Sequence, residues 1–524
     1  MSTPTTRPRA WRRKAAACAA VLLAATAVLS ACGGSGSGSS SSAGDTLTVG
    51  LNIKPQSLNP GKNGNGGQNI VQWLAYEPLI RSNSDGTFSP GLATEWGYVG
   101  EGNTAFEMTI RTDATFADGT PVTAQSVVDS ISYYLANPGP LSHYLTGITG
   151  ATVKDDQTVA VALDKPNPIL PIVFSQNANW GDVISPAGLA APDKLTSEMF
   201  GAGAYTMDTA ETVDGDHYTF VKNPKYWNKD EVHYKKVVVK VLPDANSALQ
   251  ALRNGQIQVD MNATGPLSDQ AKSAGADVIE GPGFVQAVYL MDRGGEALEA
   301  FGNPEVRKAL NHAVDRDAIA KALGGAYRPT AQIAPKGSDA FDASLDDAYD
   351  YDPAKAKQML ADAGYPDGFE FTMLSLSVLD TDTVAQAVAQ QFEKVGVKAT
   401  IKSEGADINK YISDMATKKY PAVVFNAGTD MFPNALQNFA SAASPLNPFA
   451  SQGEEVIGAF DALASAPEDG QQAAAVALNK AVSDQAWFVP VAGTSTFFFA
   501  KGIDDVGTIG SSGALDVLKW RPKS

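Results

Sequence analysis

The groups in this 524-residue chain that could do chemistry are two thiols, four imidazoles and 57 carboxylates. Cys18 and Cys32 both stand within the first 32 residues, so everything beyond them is free of thiol. Disulfides, zinc–thiolate sites and cysteine nucleophiles are therefore excluded together from the remainder. His143, His217, His233 and His312 are scattered without the spacing of metal ligands, and His312 falls inside a predicted helix, where it reads as structural. Carboxylates are so numerous that chance neighbours are unavoidable, and no pair identifies itself as general acid and base. A phosphate-binding loop, a G-x-S-x-G elbow, an H-E-x-x-H pair and a complete dinucleotide fingerprint are all missing. The residues thus point to no cofactor, no resident metal and no enzyme, and a secreted hydrolase is left without an activated nucleophile.

Cys32 offers a different chemistry. Arg7, Arg9, Arg12, Arg13 and Lys14 precede an apolar run over 15–29, and no acid occurs before Asp45. A basic start, a short apolar run and small residues at Ser30 and Ala31 make a secretory signal, too short to span a bilayer comfortably. Its ending, Leu29-Ser30-Ala31-Cys32, resembles the bacterial lipobox. That resemblance implies a signal peptide over 1–31, cleavage before Cys32 and a diacylglycerol thioether on its sulfur. The alternative is an ordinary signal with an incidental cysteine. Residues 32–44 are then a lipidated Cys followed by a Gly/Ser tether with a root-mean-square span of roughly 20 Å. Two or more acyl chains hold a protein stably at a membrane where one does not.

Without its first 32 residues the chain has 35 basic and 57 acidic side chains, a net charge of −22. Such a surface repels nucleic acid and anionic lipid. No apolar run after Ala31 approaches eighteen residues, so no further membrane span is expected. The length exceeds what one hydrophobic core supports, and two or three domains follow.

The positioning elements come next. TLTVGLNI (46–53) alternates as a half-buried strand, and a Gly/Asn-rich loop over 59–69 follows it. FEMTIRT (106–112) reads as a strand, and Val127, Val128, Ile131, Tyr134 and Leu135 share one face of a helix beginning near Thr123. HYTFVKN (217–223) and VVVKVLP (237–243) are strands, and ALQALRNG (248–255) is a short helix closed by Gly255. Beyond about residue 300, helices and strands alternate as in an α/β lobe. Asn303-Pro304 and Asp352-Pro353 are N-cap and first-turn pairs. Gly364 and Gly396 stop helices, the second directly before the strand VKATIKS.

The segment 76–133, from YEPLIRSNSDGTFSPGLATEW to FADGTPVTAQSVVDSISY, resembles the signature region of bacterial extracellular solute-binding proteins of family 5. KNPKYW (222–227), ALQALRNGQIQV (248–259), NPEVRKALNHAVDRDAI (303–319), YDPAKAKQMLADAGYPDG (351–368), QQFEKVGV (390–397) and AWFVPV (486–491) continue the match in order. The resemblance implies a two-lobed α/β clamp of the periplasmic-binding-protein type (type II, cluster C) with an extra inserted α+β domain. On that pattern lobe I takes 45–80, 186–284 and 491–524, the inserted domain II takes 81–185, and lobe II (domain III) takes 285–490. FVQAVYLMD (284–292) and the segment after Trp487 are the expected hinge. It also implies a monomeric receptor on the extracytoplasmic face of the cell membrane that hands a small solute to an ABC permease.

Two stretches should face the cleft on this resemblance. One is the loop over 62–68, with Asn63, Gly64 and Asn65, whose amides can donate and accept hydrogen bonds. The other is VVFNAGTDMFPN (423–434). Peptide-binding relatives carry a Trp-x-x-Asp-Tyr pattern there, whose Asp pairs with the peptide ammonium. Phe425 and Asn426 open the matching stretch, glycine replaces that carboxylate at 428, and Asp430 stands two positions later. An oligopeptide held through Asp430 is one reading. A neutral solute such as an oligosaccharide stacked on Phe425, Trp180 or Phe432 is another, and a nickel-type metal chelate is a third. Each named aromatic could instead be core, and each Asn a turn residue. A peptide-sensing lipoprotein without transport would have the same sequence.

Overall fold

The computed structural model describes residues 45–64, 66–84, 87–281, 283–377, 381–405, 407–428, 447–467, 470–509 and 514–523. The expected signal peptide over 1–31 and the expected lipidated Cys32 and tether over 32–44 lie outside these, as do Asn65, Asp430 and Phe432. Three sheets carry the α/β architecture.

The first sheet has seven strands in the order Asp277–Gly281, Thr496–Ala500, Val259–Asp260, Thr46–Leu51, Lys236–Val241, His217–Lys222 and Tyr205–Met207. Thr46–Leu51 pairs in parallel with both of its neighbours. The predicted alternation is met there: Leu47, Val49 and Leu51 are fully buried. The second sheet has six strands, ordered Tyr327–Pro329, Phe488–Thr494, Phe284–Leu290, Ala422–Gly428, Phe369–Ser375 and Val397–Ser403. Its central strand is buried on both faces, as its near-continuous apolar sequence requires. Val288 and Leu290 face one core, while Val285, Ala287 and Tyr289 face another.

A smaller four-stranded antiparallel sheet is built from Ala93–Val99, Ala105–Ile110, Thr158–Leu163 and Ile148–Val153. Helix Ala124–Ala136 packs on it, capped by Thr123, whose hydroxyl accepts the Ser126 N–H. The core of this sheet is continuous with that of the first: Leu47, Val49, Phe106, Val159, Trp180 and Trp520 belong to one apolar cluster. The first and third sheets therefore form one body and the second sheet another.

The chain passes between these bodies twice. It leaves the first sheet after Gly281 and enters the second at Phe284, and it returns between Thr494 and Thr496. Residue 491, where the return was expected, lies inside the strand Phe488–Thr494. The two crossings touch: Ser495 Oγ donates to Glu280 Oε1 at 2.5 Å. A Cβ on Gly283 would come within 1.8 Å of the Thr494 carbonyl oxygen, so only glycine allows this approach.

The local capping signals are obeyed. Asn303 Oδ1 accepts the Glu305 N–H at the start of Pro304–His312, and Asp352 Oδ1 accepts the Lys355 N–H at the start of Pro353–Asp362. Gly364 and Gly396 adopt φ of 95° and 89° behind their helices. No helix among the described residues is long and apolar enough to cross a membrane.

Candidate functional site

A cleft of about 680 Å³ opens between the two bodies, beside the paired crossings. The first body supplies Asn52, just past the end of strand Thr46–Leu51, and the run 261–266, just past Val259–Asp260. These strands are parallel neighbours, and ligands of open α/β sheets gather outside the carboxyl ends of such strands. The second body supplies Phe284, Tyr327, Thr494 and the turn over 323–326.

Five aromatics line the cleft: Trp73, Phe284, Tyr327, Phe497 and Phe498. Amides from Asn52, Asn69, Asn177 and Asn262 and hydroxyls from Thr264, Thr494, Ser495 and Thr496 stand among them. No charged side chain occurs among the described lining residues. Such a wall can pack against an apolar or ring face and exchange hydrogen bonds with polar edges.

Trp73 is held in place from behind. Its Nε1 donates to the Gln176 carbonyl at 2.9 Å, and the Gln176 side chain is itself fixed by two bonds to the Ser82 backbone, both 3.0 Å. One helical turn beyond Trp73, buried Glu77 accepts Arg81 at 2.7 and 3.1 Å and the Tyr226 hydroxyl at 2.7 Å. Trp227 is flanked by the Arg81 and Arg111 guanidinium groups at 5.5 and 3.2 Å from the ring centroid. A small cavity of about 30 Å³ lies between Trp73 and this cluster, with Asp182 on its wall. Burial, and then the charge of Glu77, push the Asp182 carboxyl well above the usual range.

A second buried carboxyl underlies the 261–266 run. Asp260 is fully buried; its Oδ1 accepts the Asn262 N–H at 2.8 Å, and its Oδ2 has no hydrogen-bond partner among the described residues. Burial pushes it up to about 6.

The residues singled out from sequence divide sharply. From the Gly/Asn loop, Gly66 and Gly67 reach the cleft. Asn63 points inward, 1% exposed, with Oδ1 accepting the Ser57 N–H at 3.0 Å, and the Gly64 carbonyl accepts Asn69 Nδ2 at 3.1 Å. Trp180 sits in the core between the first and third sheets, edge-on to Tyr134 at 5.0 Å and donating Nε1 to the Leu141 carbonyl at 3.1 Å. Its packing leaves no free ring face for a sugar. Phe425 is half-buried, stacked on Tyr411 and edge-on to Tyr289, and Asn426 pairs with Gln286 across the second sheet. Asn65, Asp430 and Phe432 lie outside the described residues. Trp73, Met261 to Pro266 and Tyr327 escaped the sequence reading, although the loop after VVVKV…QIQV at parallel strand ends was a usable signal.

Among the described residues no group of three or more His, Asp or Glu could hold a metal ion. Nor do the described lining residues place a nucleophile beside a base.

Comparison with known proteins gives consistent likenesses. A family model described as bacterial extracellular solute-binding proteins, family 5 Middle, matches residues 87–447. The glutathione-binding protein GsiB of Salmonella typhimurium is 29% identical over 324 residues, covering 59% of this chain and 60% of its own length. The chain thus matches about three-fifths of that curated relative. The structure of HbpA2 from Haemophilus parasuis superposes with a TM-score of 0.78 at 19% identity, covering 92% of this chain and all of the other. DppA from Helicobacter pylori, solved in complex with the peptide STSA, does so at 0.73 and 19%, covering 92% and 98%.

Proposed function

The chain belongs to the bacterial extracellular solute-binding proteins of family 5, and from that premise we propose that it captures an oligopeptide or a similar polar solute between its two bodies and delivers it to the permease of an ABC importer. The observation that carries this reading is the cleft itself, about 680 Å³, walled by aromatics from both bodies and amides from the first at the point where the chain crosses between them. That volume lies within the range of small-molecule sites, roughly 300–1,000 Å³. A ligand touching both walls gains contacts that only a closed cleft provides, so it shifts the open–closed balance by its differential affinity. The permease then reads the closed form. No bond in the ligand is made or broken. The glutathione-binding and peptide-complexed relatives support a peptide-like cargo.

A second reading rests on the uncharged lining. A free peptide has an ammonium and a carboxylate that want counter-ions, whereas an oligosaccharide needs only ring faces and amides. Trp73 and the four asparagines suit such a neutral solute. Native mass spectrometry of the purified protein, followed by calorimetric titration with tri- and tetrapeptides and with oligosaccharides, separates the two. Micromolar peptide binding supports the first reading. Binding of sugars alone replaces it with the second, and binding of neither overturns both.

The anchor belongs to the same proposal. Lipidation at Cys32 would keep the receptor beside its permease, with the 32–44 tether giving it reach. Cys32→Ser is expected to move the protein from the membrane fraction to the medium. Retention of the variant at the membrane would remove the thioether from the account.

A further inference from the structure

Among the described residues, the loop at one end of the third sheet reaches across to the second body. Strands Ala93–Val99 and Ala105–Ile110 are joined by a tight loop in which Gly102 and Asn103 take φ of 70° and 55°. Asparagine is among the few residues that adopt this left-handed conformation readily. The loop aims the Asn103 amide at helix Glu454–Ser465, where Nδ2 donates to the carbonyls of Ala464 and Ala466, both at 3.3 Å. The last carbonyls of a helix have no partner within it, so these acceptors are open to an outside donor.

The two ends of this contact belong to different bodies. Asn103 rides on the third sheet, whose core is continuous with that of the first. The joint is stiffened by bonds from Asn59 Nδ2 to the Tyr133 hydroxyl at 2.8 Å and from Lys62 Nζ to the Pro138 carbonyl at 2.8 Å. The helix is sunk into the second body through Val456 and Leu463, which share an apolar cluster with Tyr289 and Trp487. The bonds from Asn103 thus bridge the two bodies that the chain joins after Gly281 and between Thr494 and Thr496, and a rotation of one body on the other acts on them.

We propose that Asn103 is a closure latch: its amide caps the Glu454–Ser465 helix when the cleft is shut and lets go when it opens, so the third sheet takes part in gripping the solute. Asn103, Ala464 and Ala466 are not among the cleft-lining residues, so the latch acts on the closing equilibrium of any ligand the cleft accepts. Its contribution, that of one or two hydrogen bonds, corresponds to roughly a threefold to tenfold bias toward the closed form.

The test needs no ligand, so it stands or falls separately from the proposed cargo. In the full chain carrying Cys18→Ser and Cys32→Ser, Asn103→Cys is combined with Ala466→Cys, which leaves these as the sole thiols. Mild oxidation is expected to cross-link them, and small-angle scattering should then give a smaller radius of gyration that rises again on reduction. Failure of the folded variant to cross-link would overturn the latch. Identical scattering before and after reduction would do the same, because the contact would then be permanent. Should circular dichroism find that pair unfolded, Asn103→Cys with Ala464→Cys addresses the neighbouring carbonyl with the same two outcomes.

Discussion

Gly265 and Ala326 meet across the cleft so closely that a Cβ on Gly265 would lie 2.6 Å from the Cβ of Ala326 and 3.2 Å from the Phe497 ring. One residue belongs to the run after strand Val259–Asp260, the other to the turn before Tyr327–Pro329, and so to opposite bodies. Real Cβ atoms do not approach at that distance, so the size of residue 265 limits how far the cleft can shut. Gly265→Val is expected to weaken solute binding at least tenfold and to enlarge the radius of gyration of the saturated protein. The severe clash, with Ala326, arises between the two bodies, while the contact with Phe497 inside the first body is milder, so the melting temperature without ligand should fall far less than the affinity. Adding Ala326→Gly should recover part of the loss, the coupling expected of touching residues. Unchanged affinity in the single variant would show that this contact does not limit closure.

The orientation of Trp73 is set by its bond to the Gln176 carbonyl. Trp73→Ala should cost on the order of 2 kcal/mol of binding, about thirtyfold in Kd, from lost ring contact. Trp73→Phe retains a ring but loses the bond to Gln176, and should fall between the two. Titration calorimetry on all three proteins reads the order directly, and wild-type affinity in the alanine variant would remove Trp73 from the binding surface.

Asp260 gives the stability a pH dependence of unusual sign. Its carboxyl titrates near 3.8 when unfolded and at about 6 when folded, so the native state holds the proton more tightly. Its contribution is therefore greatest below about pH 4, declines as pH rises toward 6 and is flat above. At about 1.4 kcal/mol per unit, the loss across that window is up to about 3 kcal/mol. Asp260→Asn should be the more stable protein at pH 7, with the difference from wild type vanishing near pH 4. Asp182 titrates upward in both proteins, so the difference curve isolates Asp260. Denaturant melts at pH 4, 5, 6 and 7 check this, and a pH-independent difference would rule it out.

Arg293 organises the far side of the second body. Buried, it donates to the Leu290 carbonyl at 3.0 Å, Asn447 Oδ1 at 3.2 Å and the Ser451 carbonyl at 2.9 Å, with its guanidinium 4.0 Å from the Trp487 ring centroid. Arg293→Met keeps the stem and removes these bonds; the Ser451 carbonyl and Asn447 Oδ1 keep their bonds to each other's residue at 3.1 and 3.2 Å, but each acceptor loses its charged donor. A destabilisation of about 2–4 kcal/mol is expected by calorimetric unfolding, with a shift in Trp487 emission. An unaltered melting temperature would mean that the 447–451 segment is held by other contacts.

How much of this was legible in the sequence follows from the range of the forces involved. Asn303 and Asp352 announce their helices because a cap bonds an amide two or three residues away, and Gly396 ends its helix because φ of 89° is a local demand. The alternation in Thr46–Leu51 is likewise a property of one strand, and the ordered blocks from 76 to 491 identify the clamp by sequence alone. The cleft was different. Trp73 and Trp180 are the same residue type in similarly apolar surroundings, yet one lines the cleft and the other is sealed against Tyr134 and Leu141. Asn63 and Asn69 sit in one loop, and only Asn69 reaches the wall. Which side chain faces the solute, and that Asn103 meets Ala464 and Ala466 some 360 residues away, depends on how separately folded bodies pack. Burial is set by distant chain, and a residue's own neighbours in sequence carry no record of it.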